Sequence, residues 1–503
     1  MSKLKYFLIN YFYIFILFFG LASLAALAYL PYIPREGDAF GCWFNYSNNL
    51  HNFGLINALE NADASGRHPG YPFFINLIMN YLSFDFLDTL RILRIIFILA
   101  TLSAFYFFIK SVINDKLKSS LSALLILFIP TCWGSITLNT QDSIKIFSLI
   151  FSLLFFIKII DSDRKSDKKI YYILFSFFSI LLASSRWVEA LPMYGFIFIY
   201  INRKHPELNF KSRLTKTLKY LIPSLFFIFS LHVIGYIAAG HWSVSAKGAG
   251  SPSVWLKLAI HHIKINDTNI FVRLLDLGYL SVANVFNKVG YFIEHFFLSK
   301  DVNIVMYDVN AFFNGFQQTS TFKYFATYPL VVLFFAFFIK NYLDKKNSSI
   351  IKALIIAIFI SFLFYTFGLN HYEPRYWLIV FSSAMLVFVF KCYQFRFFNI
   401  IAITLLILFS YINFNNYSNM KIQDDYTNSQ ILNWRSEIIR LCTENTKTVF
   451  IDDNYFSFSS FKYFAKMDCP NLIIKPISFK KADDIKYPSL TIDFLKKTNI
   501  IGL

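Results

Sequence analysis

The sequence predicts an all-α polytopic membrane protein with a small α/β domain at its C-terminus. Three observations carry that expectation. Hydrophobic residues fill 56% of the 503 positions and charged residues only 16%, against roughly a quarter charged in a soluble domain. Apolar runs of about eighteen residues recur, each long enough to cross a bilayer. The runs are continuous rather than alternating, and a bilayer admits only helices or closed barrels.

The first run, residues 6–30, is longer than a signal-peptide core. No small-residue cleavage site precedes Pro31, so it is expected to be a retained helix. Further helices are expected over 92–108, 121–136, 144–160, 171–183, 190–201, 220–238, 328–339, 350–367, 376–390 and 400–411, about eleven spans in all.

The stretch 72–87 decides the topology. It is apolar, but short, and it ends in Asp85 and Asp88. If it lies along the surface, one face receives nearly all the basic turns: Lys3 and Lys5, Lys110 to Lys118, Lys158 to Lys169, Arg203 to Lys219, Lys345 and Lys346, Lys391 and Arg396. Positive-inside counting favours that arrangement and makes 72–87 an interfacial helix. The net charge of +18 is read as this bias, with no nucleic-acid partner.

The membrane domain is expected over 1–413. It includes a first external loop at 31–91 and a long external loop at 240–327. Residues 414–503 form the external domain, with an amphipathic helix over 430–442 and strands over 448–452 and 472–477. An oxidising compartment there allows either a Cys442–Cys469 disulfide or two separate thiols. The five cysteines fit no metal spacing. His261 and His262 are adjacent, point apart on a helix and have no obvious third ligand. No internal repeat of the transporter kind is evident.

The outer face then gathers the acids Asp38 and Asp142 and the arginines Arg186 and Arg375 at helix ends. Ionisable groups at that depth are expensive and are functional candidates by default. Each also has a structural reading. Asp38 and Asp142 can cap helices, Arg375 can snorkel, Arg186 can pair with Glu189 at i,i+3, and His371 can be a solvated loop histidine.

The order of these features resembles the GT-C membrane glycosyltransferases, in particular the dolichyl-phosphate-mannose protein mannosyltransferase-like and aminoarabinose-transferase-like enzymes. The matching segments are Gly37-Asp38-Ala39, His68-Pro69-Gly70-Tyr71-Pro72, Leu90-Arg91-Ile92-Leu93-Arg94, Asn139-Thr140-Gln141-Asp142, Ser185-Arg186-Trp187-Val188-Glu189 and Glu373-Pro374-Arg375-Tyr376. They span roughly the first 400 residues. Where many relatives have a paired Asp-Glu, Glu36 here lies two residues before Asp38.

The resemblance implies transfer of a sugar, with inversion, from a polyprenyl-phosphate carrier on the external face of a bacterial inner membrane. The N-terminus would be cytoplasmic, and the acceptor a glycan, a lipid or a protein. Asp38 is then the general base. Asp142 orients the acceptor or an arginine. The leaving phosphate needs cations rather than an acid, supplied by Arg375 first, Arg186 second, and Arg67 or His68 third. His371 and Tyr376 flank Arg375 as substrate contacts. The residues single out no cofactor, and a divalent metal stays open without a residue set that supports it. A transporter or flippase, or a polymerase, of lipid-linked saccharides is the alternative. A transporter would be expected to place its charges near the bilayer midplane.

Overall fold

The computed structural model describes residues 43–60, 69–130, 132–133, 142–185, 189–239, 328–363, 378–444, 448–452 and 468–477, with Gly20 and Ala465 alone. Helices dominate. They are α1 (Asn45–Glu60), α2 (Gly70–Asn76, continued by a π-helical turn Leu77–Tyr81), α3 (Phe86–Ile113), α4 (Lys116–Leu127), α5 (Asp142–Asp161), α6 (Lys165–Ser185), α7 (Ala190–Lys204), α8 (Phe210–Ala239), α9 (Tyr328–Leu343), α10 (Ser349–Leu363), α11 (Leu378–Cys392) and α12 (Phe398–Thr443). Strands β1 (Thr448–Asp452) and β2 (Ile473–Ile477) pair in parallel, Thr448 opposite Ile473 and Asp452 opposite Ile477. Each expected span from 92–108 onward overlaps a helix, while 6–30 lies outside the described residues apart from Gly20.

The bundle is centred on α5, which packs between α3 and α6 and also meets α7 and α11. Flat aromatic faces fill the α5–α6 seam: Phe151 stacks on Phe178 at 4.6 Å between centroids, and Phe155 on Phe178 at 5.8 Å. α10 lies between α7 and α11. Close approach there depends on Gly195, where an added Cβ would come 2.1 Å from Ile360 Cδ1. Several serine hydroxyls inside the bundle, among them Ser152, Ser179 and Ser382, donate back to their own helices, Ser152 to Ser148 O at 2.7 Å. That satisfies them without widening the seam.

Large apolar side chains cover the outside. Ile170, Ile173 and Phe177 on α6, Ile222, Phe226 and Phe229 on α8, and Ile400, Ile403 and Ile407 on α12 are exposed in helical stripes. A soluble monomer leaves only a few hundred Å² of such surface bare. Among the described residues two helices, over Asp88–Ile113 and Phe210–Ile237, are long and apolar enough to cross a bilayer alone. The chain is an integral membrane protein.

The basic turns converge at one end of the bundle. Lys204 pairs with Asp161 at 3.0 Å, Lys118 donates to Tyr393 O at 2.7 Å, and Lys391 donates to Asn347 Oδ1 at 2.6 Å.

Three expectations are corrected. The stretch 72–87 is not one helix: α2 and its π-turn end at Tyr81, and Asp85, in extended backbone, accepts from Asp88 N at 2.7 Å and caps α3. The helix expected over 121–136 starts earlier, where Asp115 accepts from Lys118 N, and its regular part stops at Leu127, three residues before Pro130. The helices expected over 400–411 and 430–442 are one continuous α12, so the boundary expected at 413/414 falls inside a helix. Near the end of that helix Cys442 is disulfide-bonded to Cys469, with Cα atoms 5.9 Å apart.

Candidate functional site at the end of the bundle away from the lysines

Asp38, Arg67, His68, Arg186, His371, Arg375 and Tyr376 lie outside the described residues. Asp142 opens α5, and its side chain is likewise outside them. The structure does describe residues on either side of several of these positions, and it brings them together.

Trp43 follows Asp38 by five residues. Its buried ring meets Tyr71 edge-on at 4.9 Å. Gly70 follows His68 by two residues and sits tightly against the end of α6. An added Cβ there would lie 2.5 Å from Ser184 Oγ and 3.0 Å from the Ser184 carbonyl. Ser184 in turn precedes Arg186 by two residues. Tyr71 also meets Phe97 at 6.0 Å, and Phe97 meets Phe147 of α5 at 5.5 Å. Trp43, Gly70 and Tyr71, Ser184 at the end of α6, and Phe147 on α5 are thus linked through described contacts.

Two charged features lie at this end. Lys145, one turn after Asp142, pairs with Glu189 at 3.1 Å, and the two side chains are 0% and 1% exposed. Glu189 is the residue just before α7, so the pair joins the start of α5 to the start of α7. Arg94, on α3, is buried beside Tyr71. Burial raises the Tyr71 phenol well above its ordinary range, while the Arg94 guanidinium pulls the other way. The phenol is therefore neutral and a hydrogen-bond donor. Nearer the surface Arg91 pairs with Asp88 at 2.7 Å.

Lys145 was not among the sequence-derived candidates. The available signal was a lysine inside an otherwise apolar helix, three residues from Asp142. Arg94 closes the Leu90-Arg91-Ile92-Leu93-Arg94 motif, to which the sequence attaches no role for it. The buried Lys145–Glu189 pair ties α5 to α7, and the buried Arg94 sets a positive charge beside Tyr71.

No protein-family model matches this chain, and no curated protein matches it in sequence. In fold it is similar to the crystal structure of ArnT from Cupriavidus metallidurans bound to undecaprenyl phosphate. The identity is 8% and the TM-score 0.49, over 92% of this chain and 90% of that one.

Proposed function

We propose that this chain is a membrane glycosyltransferase that moves a sugar from a polyprenyl-phosphate donor to an acceptor hydroxyl with inversion. The chemistry takes place at the bundle end away from the lysines. The observation that carries the reading is the convergence of the flanks of Asp38, His68, Arg186 and Asp142 through Trp43, Gly70, Ser184 and Lys145.

In this mechanism the acceptor oxygen attacks the anomeric carbon from the face opposite the phosphate. Its proton passes to the Asp38 carboxylate as the carbon–oxygen bond to phosphate breaks. Arg375, with Arg186, Arg67 and His68 behind it, meets the charge that develops on the leaving phosphate. A guanidinium suits this role because its planar fork binds two oxygens at once. Asp142 and the Lys145–Glu189 pair below it hold the acceptor side in place. His371 and Tyr376 contact substrate beside Arg375. The acceptor is a glycan, a lipid or a protein. A flippase would be expected to carry its charges at the bilayer midplane, whereas Lys145 and Glu189 lie at helix starts.

The test is transfer from a labelled polyprenyl-phosphate sugar by the purified full chain. Asp38→Asn is expected to lower transfer by about 100-fold or more with unchanged melting. Arg375→Ala is expected to weaken use of the donor. Full activity in Asp38→Asn removes it as the base.

A further inference from the structure

At the lysine-rich end α3 and α5 leave a groove of about 450 Å³ between them. Phe107, Lys110, Ser111 and Asn114 line it from α3 and its cap, and Phe151, Leu154, Phe155 and Lys158 from α5. Both sets follow the spacing i, i+3, i+4, i+7, which places each on one helix face. The groove is therefore built of two matched stripes. Each stripe is apolar toward the middle of the bundle, at Phe107 on one side and at Phe151, Leu154 and Phe155 on the other. Each carries a lysine toward the bundle's end, Lys110 followed by Ser111 and Asn114 on α3 and Lys158 closing the stripe on α5.

The lysines are available to an anion. The Lys110 ammonium lies 5.6 Å from the Tyr106 ring centroid and that of Lys158 lies 5.3 Å from Tyr171. Among the described residues neither has a carboxylate partner. Two nearby acids are engaged elsewhere: Asp161 with Lys204 at 3.0 Å, and Asp115 in capping α4. No carboxylate lines the groove. The C-terminal ends of α3 and α5 carry partial negative charge here, and the two lysines outweigh it. Phe107 is 50% exposed on the lipid-facing side, so the groove opens toward acyl chains rather than only toward water.

We propose that this groove binds an anionic phospholipid. Its phosphate sits between Lys110 and Lys158, the exposed Ser111 and Asn114 face the rest of the headgroup, and an acyl chain lies against Phe107, Phe151 and Phe155. Basic pockets between helices at a membrane face take anionic headgroups by this chemistry. The site is separate from the proposed catalytic end and stands whether or not the transferase reading does.

The test is native mass spectrometry of the full chain in detergent, titrated with phosphatidylglycerol or with phosphatidylcholine of the same acyl chains. Phosphatidylglycerol is expected to bind more tightly. Lys110→Gln with Lys158→Gln is expected to lower its affinity about tenfold or more, and Lys110→Arg with Lys158→Arg to keep it. Lys345→Gln with Lys346→Gln, at the same end but outside the groove, is expected to change nothing. Equal binding of the two lipids by the unaltered chain overturns the proposal without any variant. So does an equal loss in the Lys345/Lys346 variant, which would mean a diffuse field. Competition by millimolar inorganic phosphate would make this a phosphate site rather than a lipid site, and it also overturns the proposal.

Discussion

Replacing Lys145 by Met removes the counter-ion that Glu189 meets at 3.1 Å, with both side chains almost fully enclosed. Breaking a buried pair by deleting one partner costs about 3–5 kcal/mol, because a charge is left inside without that partner. Unfolding entropy scales with length at about 2 cal/mol/K per residue, so for a chain this size the loss appears as a fall in Tm of about 4 °C. Glu189→Leu is expected to fall by a similar amount. The double variant Lys145→Met/Glu189→Leu should recover most of it, since well-packed apolar replacement of a whole pair is often neutral. Differential scanning fluorimetry in detergent reads all four proteins, and the cycle isolates the pairwise coupling. Two outcomes would refute the reasoning: single variants within 1 °C of the parent, or a double variant that melts as low as the sum of the singles.

Gly70→Ala forces a methyl to 2.5 Å from Ser184 Oγ. It is expected to cost about 1–3 kcal/mol through overpacking, and transfer should fall with it if α2 walls the site; Ser184→Ala beside it should recover part of both. Cys442→Ser opens a loop whose ends are 27 residues apart, a loss of about 3–4 kcal/mol to the segment it closes. Limited proteolysis is expected to cut after residue 444 faster in that variant than in the parent. Gly195→Leu should abolish the close contact of α7 with α10 and prevent recovery of folded protein by size-exclusion chromatography.

Sequence legibility was uneven for physical reasons. Helix interiors such as α8 and α10 were readable because continuous apolar runs have one meaning in a bilayer. Junctions were not. Asp85 and Asp88 read equally well as acids ending one helix or beginning the next, and only the extended backbone of Asp85 decides that it caps α3. The continuity of α12 was hidden by a change in composition near residue 413, which alters what surrounds a helix without interrupting its hydrogen bonds. Lys145 was missed because its partner lies 44 residues away, and nothing local marks a pairing at that distance. Cys442 and Cys469 could not be paired by counting. They meet because α12 ends beside the β1–β2 pair.

The lysines can be explained in two ways, and helix direction separates them. α3, α5, α7, α9 and α11 all end at the basic end, with Lys110, Lys158, Arg203 and Lys204, Lys340 and Lys391 in their last turns. The helix macrodipole alone favours cations there. It predicts acids, however, wherever a helix begins. α4, α6 and α8 begin at the same end and open with Lys116 and Lys118, Lys165 and Lys168, and Lys211. α8 has no acid in its first turn, α6 has only Asp167, and α4 has Asp115 at its cap beside two lysines. Lysine at helix starts and ends alike does not follow from backbone polarity. It follows from a constraint on the whole face, which is what the positive-inside bias imposes. Arg94, Lys145 and Glu189, away from that face, are enclosed in the bundle rather than solvated, the costlier arrangement for a charge.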